Sequence, residues 1–143
     1  MYYISMEKGY IPAPIIDKAQ AKLINPLSLA FVGDAVQTLY VRSRLTVENN
    51  TKSGVLHRLA SGELNAGAQA LEVKRVLPHL TSEEEEVYKR GRNCKTGRKA
   101  KNAAVTDYRK ASGLEALYGY LYLTGEYERL SFLLEVASSE DDK

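Results

Sequence analysis

Cysteine and histidine are scarce in this chain of 143 residues, which contains one cysteine, Cys94, and two histidines. A single cysteine excludes an intramolecular disulfide, and three such residues cannot build a Cys/His zinc framework. Any bound metal would therefore be a hard ion held by oxygen ligands. The sequence also lacks an apolar run of the roughly 18 to 20 residues that would span a bilayer, and its first residues do not form a secretory signal. We expect a cytoplasmic protein that does not enter a membrane.

Positive charge is concentrated in one short segment. The net charge is only +2, but seven basic residues and no acidic residue fall between positions 89 and 101. The rest of the chain is therefore net negative. This asymmetry favours a polyanionic partner.

Hydrophobic spacing predicts an all-α fold. Asn25 followed by Pro26 predicts the start of a long helix over 27–48, because asparagine is a good N-cap and proline suits the first helical position. The last two helices are predicted over 105–123 and 126–137, and no segment alternates with the period of a β-strand. We divide the chain into an N-terminal arm at 1–14, one domain at 15–138 and a polar tail at 139–143.

Local signals also mark the middle of the chain. Asn65 predicts the start of one helix, and Thr81 with Glu84 three residues later forms a capping box for the next. We expect the acidic run at 83–86 to face the helix dipole and solvent rather than a metal. The polar segment 91–102 predicts a loop.

Two carboxylates stand in apolar helical surroundings. Asp34 lies within LAFVGDAV at 29–36, and Glu115 is the only charge in the stretch 111–121. An ionised carboxylate without a partner is costly in such a setting. The partner could be internal, such as an arginine or the N–H groups of another helix, or it could be a divalent cation shared by both carboxylates.

Magnesium suits the second alternative. It binds through one or two carboxylates, keeps several waters and completes its shell with substrate phosphate oxygens. Ser112 lies one turn before Glu115 on the same helix face, where it could hydrogen-bond one of these waters. The pair therefore suggests a phosphodiester-cleaving site.

The same residues carry a resemblance to the ribonuclease III family. The segment LAFVGDAV at 29–36 resembles the family signature Leu-Glu-Phe-Leu-Gly-Asp-Ala-Val. The segment LEALYGYL at 114–121 is similar to the second family block, Asp-x-Phe-Glu-Ala-Leu-x-Gly-x-x-Tyr. The likeness runs over 26–137. It implies an all-helical, homodimeric endonuclease domain that cleaves double-stranded RNA with Mg²⁺, or with Mn²⁺ as a substitute, and leaves a 5′-phosphate and a 3′-hydroxyl.

The resemblance also assigns roles to individual residues. Asp34 and Glu115 take catalytic, metal-binding positions, and Ser112 is implied to contact the metal through a water. Phe31 takes the position whose ring inserts into the partner subunit at the dimer interface.

Three acidic positions of the family are altered in this chain. They hold Ala30, Leu27 and Ser112 here. These losses, the short chain and RGRNCK at 90–95 resemble the Mini-III branch, whose members lack a double-stranded-RNA-binding domain and act on the precursor of the large-subunit (23S) ribosomal RNA. Because fewer negative ligands bind magnesium more weakly, we expect a high magnesium requirement.

Without a separate binding domain, the chain must hold duplex RNA through its phosphates and 2′-hydroxyls. The candidate RNA-binding residues are basic or polar: Arg90, Arg92, Asn93, Lys95, Arg98, Lys99, Lys101, His57, Arg58 and Arg109. The expected partner is double-stranded RNA, namely stems of precursor ribosomal RNA, and whether a ribosomal protein presents it is left open. A solvated basic face without a ligand is the alternative.

Two rival functions compete with the nuclease. A catalytically weak ribonuclease III fold could bind double-stranded RNA without cutting it, and the lost carboxylates favour this reading. A helical protein-interaction domain would account for the helices but not for the basic segment. The presence of both Asp34 and Glu115 favours the nuclease.

Overall fold

The computed structural model describes residues 14–94 and 104–139. Within these ranges the chain forms seven α-helices and no β-strand, which confirms the predicted all-α class. The helices are α1 (Lys18–Leu23), α2 (Pro26–Glu48), α3 (Ser53–Leu64), α4 (Ala66–Val76), α5 (Ser82–Asn93), α6 (Ala104–Leu123) and α7 (Tyr127–Ser138), with a 3-10 turn at Leu77–His79 after α4. Almost all of the predicted arm and tail lies outside the described residues, so the domain boundaries remain predictions.

The predicted helix starts are confirmed by their hydrogen bonds. Asn25 Oδ1 accepts a 2.8 Å bond from the Leu27 amide at the start of α2, and Asn65 Oδ1 accepts one of the same length from Ala68 at the start of α4. At α5 the Thr81 hydroxyl accepts from the Glu84 amide at 3.2 Å, while the Glu84 carboxylate accepts from the Thr81 amide at 2.9 Å. Local sequence therefore determines where these helices begin.

Helix α6 lies at the centre of the bundle, where α2, α4 and α5 pack against it. Its side chains Leu117, Tyr118 and Tyr120 are at most 1% exposed. The Tyr120 hydroxyl donates to Glu83 at 3.2 Å. These tyrosines are core residues, and the surrounding helices hold α6 in a fixed position.

Two local predictions for α5 are wrong. The helix continues to Asn93, although a loop was predicted from Gly91, because Gly91 packs closely against α6. Glu84 is also not in solvent: it is 5% exposed and receives bonds of 2.7 and 2.8 Å from the Arg129 guanidinium of α7. Burial alone would raise the pKa of Glu84, but the bonds and charge of Arg129, together with the hydrogen bonds from Thr81, outweigh burial and hold this pKa below its usual range.

Helix α2 is buried along one side only. Leu29, Gln37 and Val41 face the core, whereas Phe31 is 82% exposed and Leu39 is 49% exposed on the opposite side. The apolar character of α2 therefore leaves a hydrophobic surface uncovered in the single chain. None of the described helices combines the length and the hydrophobicity needed to cross a membrane.

Candidate active site

The site is built where α2 crosses α6 with no side chain between them. A Cβ atom added to Gly33 would lie 1.7 Å from the carbonyl oxygen of Glu115, and one added to Gly119 would lie 1.9 Å from the carbonyl oxygen of Leu29. Only glycine permits backbones to approach this closely. The two glycines therefore bring the turn that carries Asp34 against the turn that carries Glu115.

The side chains of Asp34 and Glu115 interact directly at this crossing. Burial, together with the charge and the hydrogen bond of Asp34, raises the pKa of Glu115 to about 8. The pKa of Glu115 is shifted by burial, by Asp34 and by the side-chain amide of Gln69. No arginine contributes to this shift, so the internal arginine that the sequence allowed as a partner is not found for Glu115.

Asp34 differs from its predicted environment. The sequence placed both carboxylates within buried helices, but Asp34 is exposed and Glu115 is half-buried. The reason is that Asp34 sits at the edge of the α2–α6 contact, beside the uncovered surface of α2. One carboxylate thus faces solvent, and the other lies behind it.

Sequence reasoning missed a third polar side chain at the site. Gln69 of α4 is 4% exposed, and its side-chain amide acts to lower the pKa of Glu115, against the effects of burial and Asp34. Hydrophobicity alone is misleading in α4, because Leu71 is 56% exposed whereas Gln69 and Glu72 are buried. The spacing of Gln69, Val73 and Val76 on one helix face was the signal that could have identified this surface.

The oxygen donors at the crossing suit a hard divalent cation. Two carboxylates in contact repel each other when both are ionised, and a cation between them removes this repulsion. In residues 14–94 and 104–139, no group of three or more Asp, Glu, His or Cys side chains is arranged to hold a metal. A cation here would rely on Asp34 and Glu115 and complete its shell with water and phosphate, as Mg²⁺ does. Ser112, one turn before Glu115, is 7% exposed.

The basic end of α5 lies next to the same part of α6. A Cβ atom added to Gly91 would lie 3.1 Å from the carbonyl oxygen of Ser112. Arg90 and Arg92 flank this contact, and the Arg92 guanidinium lies 5.7 Å from the centre of the Tyr88 ring and donates to Asn93 at 3.1 Å. The last turn of α5 therefore packs against 112–116 of α6, the turn that carries Glu115.

The other candidate RNA-binding residues are distributed differently. His57 and Arg58 are exposed on α3, which packs against Val41 and Leu45 in the second half of α2, and Arg109 is exposed on α6. Four of the predicted basic residues, Lys95, Arg98, Lys99 and Lys101, lie outside the described residues.

Comparison with known proteins shows the family of the chain. The sequence profile of the Ribonuclease III domain matches residues 27–126, which include both glycines and both carboxylates of the crossing. The chain belongs to the ribonuclease III family. As a ribonuclease III family member it is an endoribonuclease, and its helical fold is the one that the family resemblance implied.

Relatives place the chain in the Mini-ribonuclease 3 branch of the ribonuclease III family. Mini-ribonuclease 3 of Enterococcus faecalis is 50% identical over 115 residues, covering 79% of this chain and 87% of that protein. Mini-ribonuclease 3 of Thermoanaerobacter is 42% identical over 123 residues, covering 86% and 87%. A crystal structure of a Fusobacterium nucleatum protein is similar with a TM-score of 0.72 and 26% identity, covering 85% of this chain and 95% of that one.

Proposed function

We propose that this ribonuclease III family member cleaves double-stranded RNA with Mg²⁺ held by Asp34 and Glu115, and that Mn²⁺ can substitute. The observation that carries the proposal is the glycine crossing, which brings the turns of Asp34 and Glu115 together, so that the charge of Asp34 raises the pKa of Glu115. A bound divalent cation would activate a water molecule and stabilise charge on the departing oxygen. Asp34 and Glu115 orient the cation, and exposed Asp34 leaves the site open to a phosphate of the substrate.

RNA is held by the basic residues near the crossing. Arg90 and Arg92 lie on the turn of α5 that touches α6, and guanidinium groups bind phosphate oxygens well. Because duplex RNA hides its base edges in a deep major groove, these contacts would read shape and phosphate rather than sequence. His57, Arg58 and Arg109 would extend the contact along the duplex, together with the basic residues of 95–101.

The endonuclease acts as a homodimer through the uncovered side of α2. An open groove of about 570 Å³ follows this side and is lined by Phe31, Asp34, Leu39 and Leu130, among others. An exposed aromatic ring beside an apolar groove suits a two-fold dimer. The ring of each subunit can enter the groove of its partner, so both rings and both grooves are covered. Since Asp34 lines the groove, pairing would place two metal sites along one face of the dimer.

The resemblance to the Mini-III branch supports a proposal for the natural substrate. We propose that the duplexes cut by this chain are stems of the large-subunit (23S) ribosomal RNA precursor. A ribosomal protein that presents such a stem would be a further partner.

The proposal is tested with a perfect RNA duplex in Mg²⁺, comparing the wild type with Asp34→Asn and with Glu86→Gln. Glu86 is an exposed carboxylate of α5 and serves as the matched control. We expect cleavage by the wild type and the control, and binding without cleavage by Asp34→Asn. Binding without cleavage by all three would instead favour a non-cleaving RNA-binding protein. Absence of binding by all three would favour a protein-interaction domain.

A further inference from the structure

Polar side chains form two layers between α2, α4 and α6. Each helix contributes one member to each layer, and the two members on a helix are three residues apart, which places them on the same face. The outer layer contains Asp34, Gln69 and Glu115, and the inner layer contains Gln37, Glu72 and Tyr118. The inner layer is at most 7% exposed. The carboxylates of Asp34 and Glu115 therefore lie next to a buried polar layer, to which α2, α4 and α6 each contribute one side chain.

Gln69 has an incomplete set of hydrogen bonds. Its Nε2 atom donates to the carbonyl oxygen of Leu64 at 3.0 Å. One turn further along both helices, Gln37 Nε2 of α2 donates to Glu72 of α4 at 2.8 Å, so Gln69 faces the turn that carries Asp34, and its side-chain amide acts to lower the pKa of Glu115. Its Oε1 atom is buried and has no hydrogen-bond partner. A buried acceptor left unpaired costs about 1–3 kcal/mol. This oxygen belongs to the same carboxamide group as the nitrogen, so it lies beside the carboxylates of the site.

We propose that Gln69 is a positioning residue of the metal site, whose nitrogen orients Glu115 and whose Oε1 accepts a hydrogen bond from a water in the shell of the cation. The inference rests on the proposed metal-binding role of Asp34 and Glu115. In this arrangement the neutral Gln69 side chain supplies part of the cation binding that additional carboxylate ligands would otherwise supply. Groups that hold metal ligands in place from behind in this way contribute strongly to metal affinity.

The backbone of α4 fixes Gln69 in this position. The backbone N–H of Gln69 donates to the backbone carbonyl oxygen of Asn65 at 3.0 Å in the first turn of α4. The side chain of Asn65 also caps this helix. In the inner layer, Gln37 Nε2 donates to Glu72 at 2.8 Å and ties the next turn of α4 to α2. Gln69 is therefore held at both ends and has little freedom to turn away from Glu115.

The experiment measures binding of Mn²⁺ alone to the full chain by electron paramagnetic resonance, without RNA. We expect Gln69→Leu to weaken Mn²⁺ binding about 10-fold or more. Gln69→Glu loses the N–H that orients Glu115, but it keeps an acceptor oxygen and adds a negative charge beside the cation. The added charge should outweigh the lost donor, so this variant should bind Mn²⁺ at least as tightly as the wild type. Val73→Ala is the control, because it disturbs the buried face of α4 at a side chain that is 2% exposed and carries no polar group.

Several outcomes would overturn the role of Gln69. Wild-type affinity in Gln69→Leu would do so, as would an equal loss in Val73→Ala, since this would indicate a general effect of core disruption. If Gln69→Leu does not fold, weaker Mn²⁺ binding by Gln69→Glu would contradict the proposal in its place. Glu115→Gln separates this proposal from the underlying one: if that variant binds Mn²⁺ normally, the metal site itself is wrong.

Discussion

Replacing Gly119 with alanine tests whether the helix crossing sets the geometry of the ribonuclease site. The added Cβ atom would lie 1.9 Å from the carbonyl oxygen of Leu29, and real Cβ atoms essentially never approach closer than 3.0 Å. The obstructing atom is backbone, so α2 and α6 must separate by about 1 Å in a close-packed interior. Such overpacking costs about 1–3 kcal/mol of unfolding free energy. A misplacement of about 1 Å between catalytic groups can lower the rate about 100-fold.

The assay combines urea unfolding with the cleavage rate of a duplex RNA at saturating Mg²⁺. We expect Gly119→Ala to lose stability and cleavage together. Gly62→Ala is the control, because a Cβ atom added to Gly62 of α3 meets nothing within 4 Å. Its higher helix propensity should stabilise the chain by up to about 1 kcal/mol without changing cleavage. If Gly119→Ala cleaves RNA within twofold of the wild type, the crossing does not set the geometry of the site.

Three further predictions concern charge, assembly and RNA. With its pKa raised to about 8 by burial and Asp34, Glu115 keeps its proton in the folded state after the unfolded chain has lost it near pH 4.5. The metal-free chain should therefore lose stability as pH rises from about 5 to 8, and Glu115→Gln should lose less; equal losses in urea unfolding would contradict this. Phe31→Asp should convert a dimer into a monomer in sedimentation equilibrium, and a wild type that is already monomeric would refute the proposed interface. Arg92→Gln should reduce the salt dependence of log K for duplex RNA by about 0.7–0.9, whereas an unchanged slope would remove Arg92 from the interface.

The helix starts were predictable because their signals are local. Asn25 with Pro26, and Thr81 with Glu84, determine hydrogen bonds within four residues, and no distant partner can change them. The burial of Glu84 was not predictable, because its partner Arg129 is 45 residues away. Nothing near Glu84 in the sequence indicates which helix will cover it.

The candidate site was predictable only in part. Asp34 and Glu115 stood out because a carboxylate in an apolar stretch needs a partner, and the structure places them in contact. Gln69 and Glu72 did not stand out, because both are polar and share the buried face of α4 with Val73 and Val76 alone. The spacing of the two valines indicates this face, but the partners that Gln69 and Glu72 meet depend on how α4 packs across α2 and α6.

The glycine crossing has a consequence for engineering. Main chain touches main chain between Gly33 and Gly119, so peptide groups alone determine how far apart the ligand-bearing turns stand. Rotamer changes and exchanges of hydrophobic residues elsewhere act on side chains and leave this spacing as it is. A new metal ligand, such as an aspartate introduced at Ser112, would therefore be added without changing the backbone spacing between the turns that carry Asp34 and Glu115. A resulting change in metal preference could then be assigned to the chemistry of the added group.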